Sequence, residues 1–178
     1  RAAPGRGRGG VAGAQGWWAA GPVRPGSGGP EGWEPVVPCD PPVNTRHQCV
    51  IRNGTALGLP ETVTLAAAQP AIFTKDKSGA GQAAITAANG RLAEPGNAAA
   101  AGERIVISCA GLGQVSPSVL AGSAAPENIA AVDAVTVSIG RVNAPVSSAG
   151  LSAGKAGRTR VADTVPTGGM GGARARAT

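Results

Sequence analysis

A chain of 178 residues is long enough for one domain, or for one small domain with long tails. It has 29 Gly, 15 Pro, no Tyr and one Phe, and much of its 42% hydrophobic content is alanine. That excludes a core of large aromatics and predicts a marginally stable domain resting on a modest set of Val, Ile and Leu side chains.

Residues 1–42 are rich in Gly, Pro and Arg and keep no period of 2 or 3.6. Pro35, Pro38, Pro41 and Pro42 forbid a central strand, so the block is expected to be an irregular arm or linker. All three tryptophans, Trp17, Trp18 and Trp33, lie in it and are the candidate contacts for a ligand or partner.

From Val43 the pattern changes to short β segments separated by turn signals. His47, Cys49 and Ile51 alternate with Gln48, Val50 and Arg52, and Asn53-Gly54 is a type I′ hairpin signal. Leu59 to Leu65 is the expected returning strand, with Val63 and Leu65 on one face. Gln82 to Thr86 followed by Asn89-Gly90 predicts a second hairpin. Ala98 to Ala101, flanked by Gly96 and Gly102, reads as a turn rather than a helix. Glu103 to Ala110 is the best strand, with Ile105, Ile107 and Cys109 on one face and Val106 and Ser108 on the other. Val135, Val137 and Ile139 alternate with Thr136 and Ser138, after which Gly140-Arg141 turns into Val142 to Ser147. Arg158 to Val165 is a weaker strand, and 167–178 is expected to be a flexible Gly/Arg tail or an incomplete last hairpin. Many short strands at this spacing predict an all-β sandwich or barrel over 43–166.

Charge refines the functional classes. The net charge of +6 suggests nucleic acid, yet residues 39–153 carry seven basic and seven acidic side chains. The basicity belongs to the ends. Arg6-Gly-Arg-Gly-Gly10 and Arg174-Ala-Arg176 resemble fragments of RNA-binding arms, but two or three Arg per end without a basic groove favour solvated tails. No run approaches the ~20 apolar residues of a membrane-spanning helix. The opening Arg-Ala-Ala-Pro-Gly shows no signal peptide, and a start without Met suggests a processed product or a piece of a longer chain.

Catalytic signals are weak. Gly150-Leu-Ser152-Ala-Gly154 matches the nucleophile-elbow spacing, which requires a strand-turn-helix junction. The single histidine, His47, precedes the serine, and no helical pattern follows it. Gly154-Lys155 lacks the remaining P-loop residues, with Ala149 and Ala156 in their places. Cys39, His47, Cys49 and Cys109 have no pair at structural-zinc spacing. A disulfide in an exported protein is the preferred use of the cysteines, as Cys39–Cys49 or Cys49–Cys109, with at least one thiol left without an intrachain partner. Asn53-Gly54-Thr55 is a formal glycosylation sequon better read as a turn. Glu94, Glu103, Glu127 and Asp133 are too scattered to form a glycosidase pair.

The ordered pieces Gln69-Pro-Ala-Ile-Phe73, Gly81-Gln82, Asn89-Gly90, Pro95-Gly-Asn97 and Ala110-Gly-Leu-Gly113 carry a family resemblance. They are joined by Val43 to Gln48, Pro60 to Leu65, Val135 to Ile139, Ala149-Gly-Leu151 and Val165-Pro166. Over residues 42–166 the chain resembles a β-rich C-terminal domain of large secreted acidobacterial (Solibacter/Bryobacter-type) proteins. The resemblance implies an immunoglobulin-like β-sandwich and an extracellular or cell-surface location, and it implies no reaction. Before Val43 the family carries apolar and Tyr-rich strands, and around 155–160 an aromatic strand. Here those places are Gly/Pro/Arg-rich and Lys-Ala-Gly-Arg-Thr-Arg, which predicts an uncovered sheet edge.

The expectation is therefore a non-catalytic extracellular structural or interaction module without a cofactor or metal. Its partners are expected to be protein, through self-association or neighbouring domains of a longer chain. The alternatives are a carbohydrate or surface-ligand module using the Trp-bearing arm and, behind it, nucleic-acid binding through the Arg-Gly tails.

Overall fold

A computed structural model of the chain describes residues 10–13, 16–18, 36–37, 41–53, 55–168 and 173–177, with side chains at 36–37, 41–50 and 55–168. The described residues are all-β, in open antiparallel sheets, and no helix occurs among them. The chain divides into two compact units: residues 1–67 with 120–124, and residues 68–119 with 125–178.

The first unit is built on one long strand. β1 (Gly10–Gly13), β2 (Gly16–Trp18), β3 (Thr45–Asn53), β4 (Ala56–Leu57) and β5 (Glu61–Leu65) form a sheet ordered β2-β1-β3-β4, with β5 also on β3. Within the block 1–42, Gly10–Gly13 and Gly16–Trp18 pair as strands, and β1 continues onto β3. The prolines that argued against a strand all lie outside these two segments. The β3–β4 hairpin has Asn53 opposite Ala56, so Asn53 belongs to the ladder and the bend follows it. The returning strand predicted over 59–65 is β5, aligned from Thr45↔Leu65 to Cys49↔Glu61. Among the described residues β3 to β5 pair with one another and with β1.

The second unit contains two sheets. β6 (Ala71–Ile72), β7 (Ile85–Ala87), β8 (Arg104–Ala110), β9 (Val115–Ser116), β10 (Ala130–Ala131), β13 (Ser148–Leu151) and β14 (Thr159–Thr164) form the larger, ordered β6-β8-β14-β13-β10-β9 with β7 on β8. β11 (Val135–Ile139), β12 (Val142–Ala144) and β15 (Ala173–Ala177) form the smaller, ordered β12-β11-β15. Ile85, Ile105, Ile107, Cys109 and Val161 of the large sheet meet Val137, Ile139 and Ala144 of the small one in a single apolar cluster with Leu112. This gives the unit a sandwich-like core.

Alternation explains the best strand. Paired residues in an antiparallel ladder share a face. Ile105, Ile107 and Cys109 on β8 are buried beside Asp163, Val161 and Thr159 on β14, while the intervening positions are more open. The two later hairpins also form where the turn residues predict them. At Asn89-Gly90, the Ala87 carbonyl accepts from Gly90 N–H at 2.9 Å and the Ala87 N–H donates to the Arg91 carbonyl at 2.8 Å. Gly140 and Arg141 have φ of 58° and 70°, the two left-handed residues of a type I′ turn joining β11 to β12.

In the C-terminal half, the segment 158–165, expected as a weaker strand, supplies β14, which lies between β8 and β13 in the middle of the large sheet. Thr159 and Val161 favour the extended backbone, and the cross-strand neighbours on both sides carry the one poor strand former of the inner face, Asp163. The segment 173–177, expected in a flexible tail, pairs along the whole of β11 from Val135↔Ala177 to Ile139↔Ala173. Backbone pairing needs only a segment free of Pro and long enough to match its neighbour, and Ala-Arg-Ala-Arg-Ala satisfies that.

Candidate interaction edge

The Gly150–Gly154 and Gly154-Lys155 spacings fall on the connection between β13 and β14. Gly150 and Leu151 end β13, Ser152 N–H donates to the Arg158 carbonyl at 2.8 Å, and Lys155 N–H donates to the Ser152 carbonyl at 3.1 Å. The Gly150–Gly154 motif thus spans the end of β13 and the start of the loop to β14, a strand-loop-strand rather than the strand-turn-helix that exposes a nucleophile. His47 is buried in the first unit, its Nε2 at 2.7 Å from Thr45 Oγ1 and 2.9 Å from the Pro42 carbonyl.

The cysteines are separated in the fold. Cys49 lies half-buried in the first unit and Cys109 buried in the second, both as free thiols, while Cys39 lies outside the described residues. Thr159 Oγ1 donates to the Cys109 carbonyl at 2.8 Å and also contacts Cys109 Sγ at 3.3 Å. Burial pushes the Cys109 thiol above its ordinary value, so it packs as a small hydrophobe. Among the described residues no three His, Cys, Asp or Glu side chains come together as a metal site.

Several charged residues bind loops. Arg91 forks onto Glu103 at 3.1 and 3.0 Å and reaches the Asn97 carbonyl at 2.9 Å, while Glu103 accepts the Ala100 N–H at 2.8 Å. This half-buried ion pair holds the 94–102 connection against β8. Lys75 and Glu94 pair at 2.8 Å on the exposed surface, where such a contact stabilises little.

Asp163 is the one charged side chain with no exposed surface among the described residues. It faces the core opposite Ile105; its Oδ1 accepts the Thr164 N–H at 2.6 Å and its Oδ2 has no hydrogen-bond partner. Burial raises its pKa above the ordinary carboxylate range, and the Thr164 hydrogen bond offsets this in part. With the folded-state pKa raised, the native state holds a proton that the unfolded chain has released. Stability should therefore rise as pH falls through the raised native pKa toward the ordinary carboxylate range. Asp163→Asn keeps the Thr164 contact and removes the buried charge. The variant should be more stable than wild type by about 1 kcal/mol at pH 7, with the gap closing as the medium is acidified. Urea midpoints across pH check both signs.

What the structure leaves open is a sheet edge. Pro60, without an N–H, immediately precedes β5, and the β-branched Thr62, Val63 and Thr64 favour the extended backbone that pairs with β3. Gln48 Nε2 donates to Thr62 Oγ1 at 2.8 Å across that pair. On its other side β5 has no strand partner among the described residues. Every residue from Thr55 to Thr64 is exposed, including Leu57 at 62%, Leu59 at 93% and Val63 at 37%. Natural sheets blunt such edges with charge, proline or bulges. Here only Pro60 and Glu61 do so.

Sequence reading placed the contacts elsewhere. Trp17 and Trp18 are described only as backbone, opposite Ala12 and Val11 on β1, and Trp33 lies outside the described residues. The signal that marks the edge is the uncharged run Asn53 to Pro60, where two leucines follow a hairpin with no partner pattern to bury them. No protein-family model, curated protein or solved structure matches the chain at a significant level.

Proposed function

We propose that the chain is a non-catalytic structural or interaction module of a secreted or cell-surface bacterial protein, and that it associates with protein through its open sheet edge. The observation that carries this reading is the exposed run from Thr55 to Thr64, which presents two leucines, a valine and a side of β5 with no strand partner among the described residues. A strand of this kind recruits another by main-chain hydrogen bonding, with apolar side chains adding affinity. The two sheets of the second unit, sharing one core, support an immunoglobulin-like sandwich as the scaffold. The resemblance over 42–166 supports the extracellular setting.

Three titrations on one preparation test the proposal. Light scattering should report association with protein. Trp fluorescence should be indifferent to polysaccharide, and DNA or RNA should not bind at moderate salt. Saturable quenching by a polysaccharide would replace this reading with a carbohydrate module. Nucleic-acid binding abolished by deleting residues 1–10 and 173–178 would replace it with a nucleic-acid module.

A further inference from the structure

We infer that β5 pairs with β5 of a second copy of this chain, antiparallel about a two-fold axis at Val63, extending each first-unit sheet across the axis. The inference rests on the interaction-module reading and names its partner.

The edge is self-complementary in this register. A two-fold axis at Val63 sets Thr62 opposite Thr64 of the other copy and Glu61 opposite Leu65. Thr–Thr is a favourable cross-strand pair, and Val63 meets its own counterpart in the centre. Glu61 is the only charged residue of β5, and the antiparallel register moves it away from its copy, so no like charges face each other. A parallel pairing in register would place the two Glu61 side chains side by side. Pro60 has no N–H to donate, which ends the new ladder after five residues and fixes its length. Charge distribution in the edge thus favours a second copy in one orientation.

The faces agree with this. Val63 lies on the His47 side of the ribbon, so the axis would bring together a stripe of His47, Val63 and their two counterparts. Thr62 and Thr64 lie on the other side with Gln48 and Arg46, a polar stripe suited to water. A five-residue ladder buries less than the area of a standard stable dimer. The association should therefore be weak and concentration-dependent.

The test exploits the axis, because residue 63 faces itself there and at no hetero-interface. Val63→Lys and Val63→Glu each place like charges opposite each other and should weaken the dimer by about tenfold or more. Mixing the two variants should restore a heterodimer. Sedimentation velocity from about 5 to about 500 µM reads all three states, and circular dichroism confirms that each variant is folded. Hydrogen exchange on the wild type gives a second readout without substitution, since the outward-facing amides of Thr62 and Thr64 should gain protection as concentration rises. A wild-type chain monomeric over the whole range overturns the pairing, while the interaction-module reading then stands on a different partner. A dimer indifferent to both variants, or protected elsewhere than β5, overturns it as well. Rescue on mixing supports it.

Discussion

Gly150→Ala is expected to cost on the order of 3 kcal/mol or more, enough to unfold a marginally stable domain. Gly150 lies in β13 opposite Ala130 of β10, and Leu151 N–H donates to the Ile129 carbonyl at 3.0 Å. A methyl on Gly150 would lie deep within van der Waals contact of the Ile129 carbonyl oxygen and 2.9 Å from the Ala130 Cα. Both atoms are backbone, so no side chain can swing away. Relief requires β10 to move off β13, which strips β9 and β10 from the large sheet. Gly96→Ala is the matched control: nothing lies within 4 Å of its added carbon and its φ is not positive. That variant should fall within about 1 kcal/mol of wild type, or slightly above it, through reduced entropy of the unfolded chain. Urea denaturation of the two variants gives the comparison. Near-equal midpoints would mean that the close approach of β10 to β13 does not hold in solution.

Ile107→Ala should be the most damaging truncation of a core side chain, at about 2 to 5 kcal/mol. Ile107 has no exposed surface and pairs with Ile85 on one side and Val161 on the other, at the centre of the apolar cluster. The core around it contains no aromatic residue, so few neighbours are large enough to fill the space left behind. Leu59→Ala removes a similar volume from a side chain that is 93% exposed and should change stability by less than about 0.5 kcal/mol. If thermal melting shows losses of similar size for the two, burial does not order the stabilities of this chain.

Periodicity reveals a strand in this sequence only when the strand's buried face is apolar. β8 carries Ile105, Ile107 and Cys109 on one face, and β11 carries Val135, Val137 and Ile139, so both are legible from alternation alone. β14 is just as central but turns Thr159, Val161 and Asp163 inward, which resembles the polar face of an exposed strand. β6, β9 and β10 have two residues each, too few to show any period. The turn residues were informative at Asn89-Gly90 and Gly140-Arg141, where positive φ or a tight loop demands them.

The candidate edge was half legible. Thr62, Val63 and Thr64 identify a strand, but edge position depends on which other segments arrive beside it. That is decided by topology, which alternation does not encode. The cysteines make the same point. Their residue types suggested a bridge, Cys39–Cys49 or Cys49–Cys109; Cys49 and Cys109 are free thiols in different units, and Cys39 lies outside the described residues.

The position of β14 sets an order of events during synthesis. Its ladder with β8 joins Cys109 to Thr159, 50 residues later in the chain. Until that segment leaves the ribosome, β8 lacks one neighbour and β13 has no bridge to it. Two half-sheets, β6-β7-β8 and β9-β10-β13, would wait side by side with their inner edges bare. A nascent chain in that state has four strand edges where the finished sheet has two, so the interval between emergence of β13 and of β14 is when this unit is most exposed to misassembly.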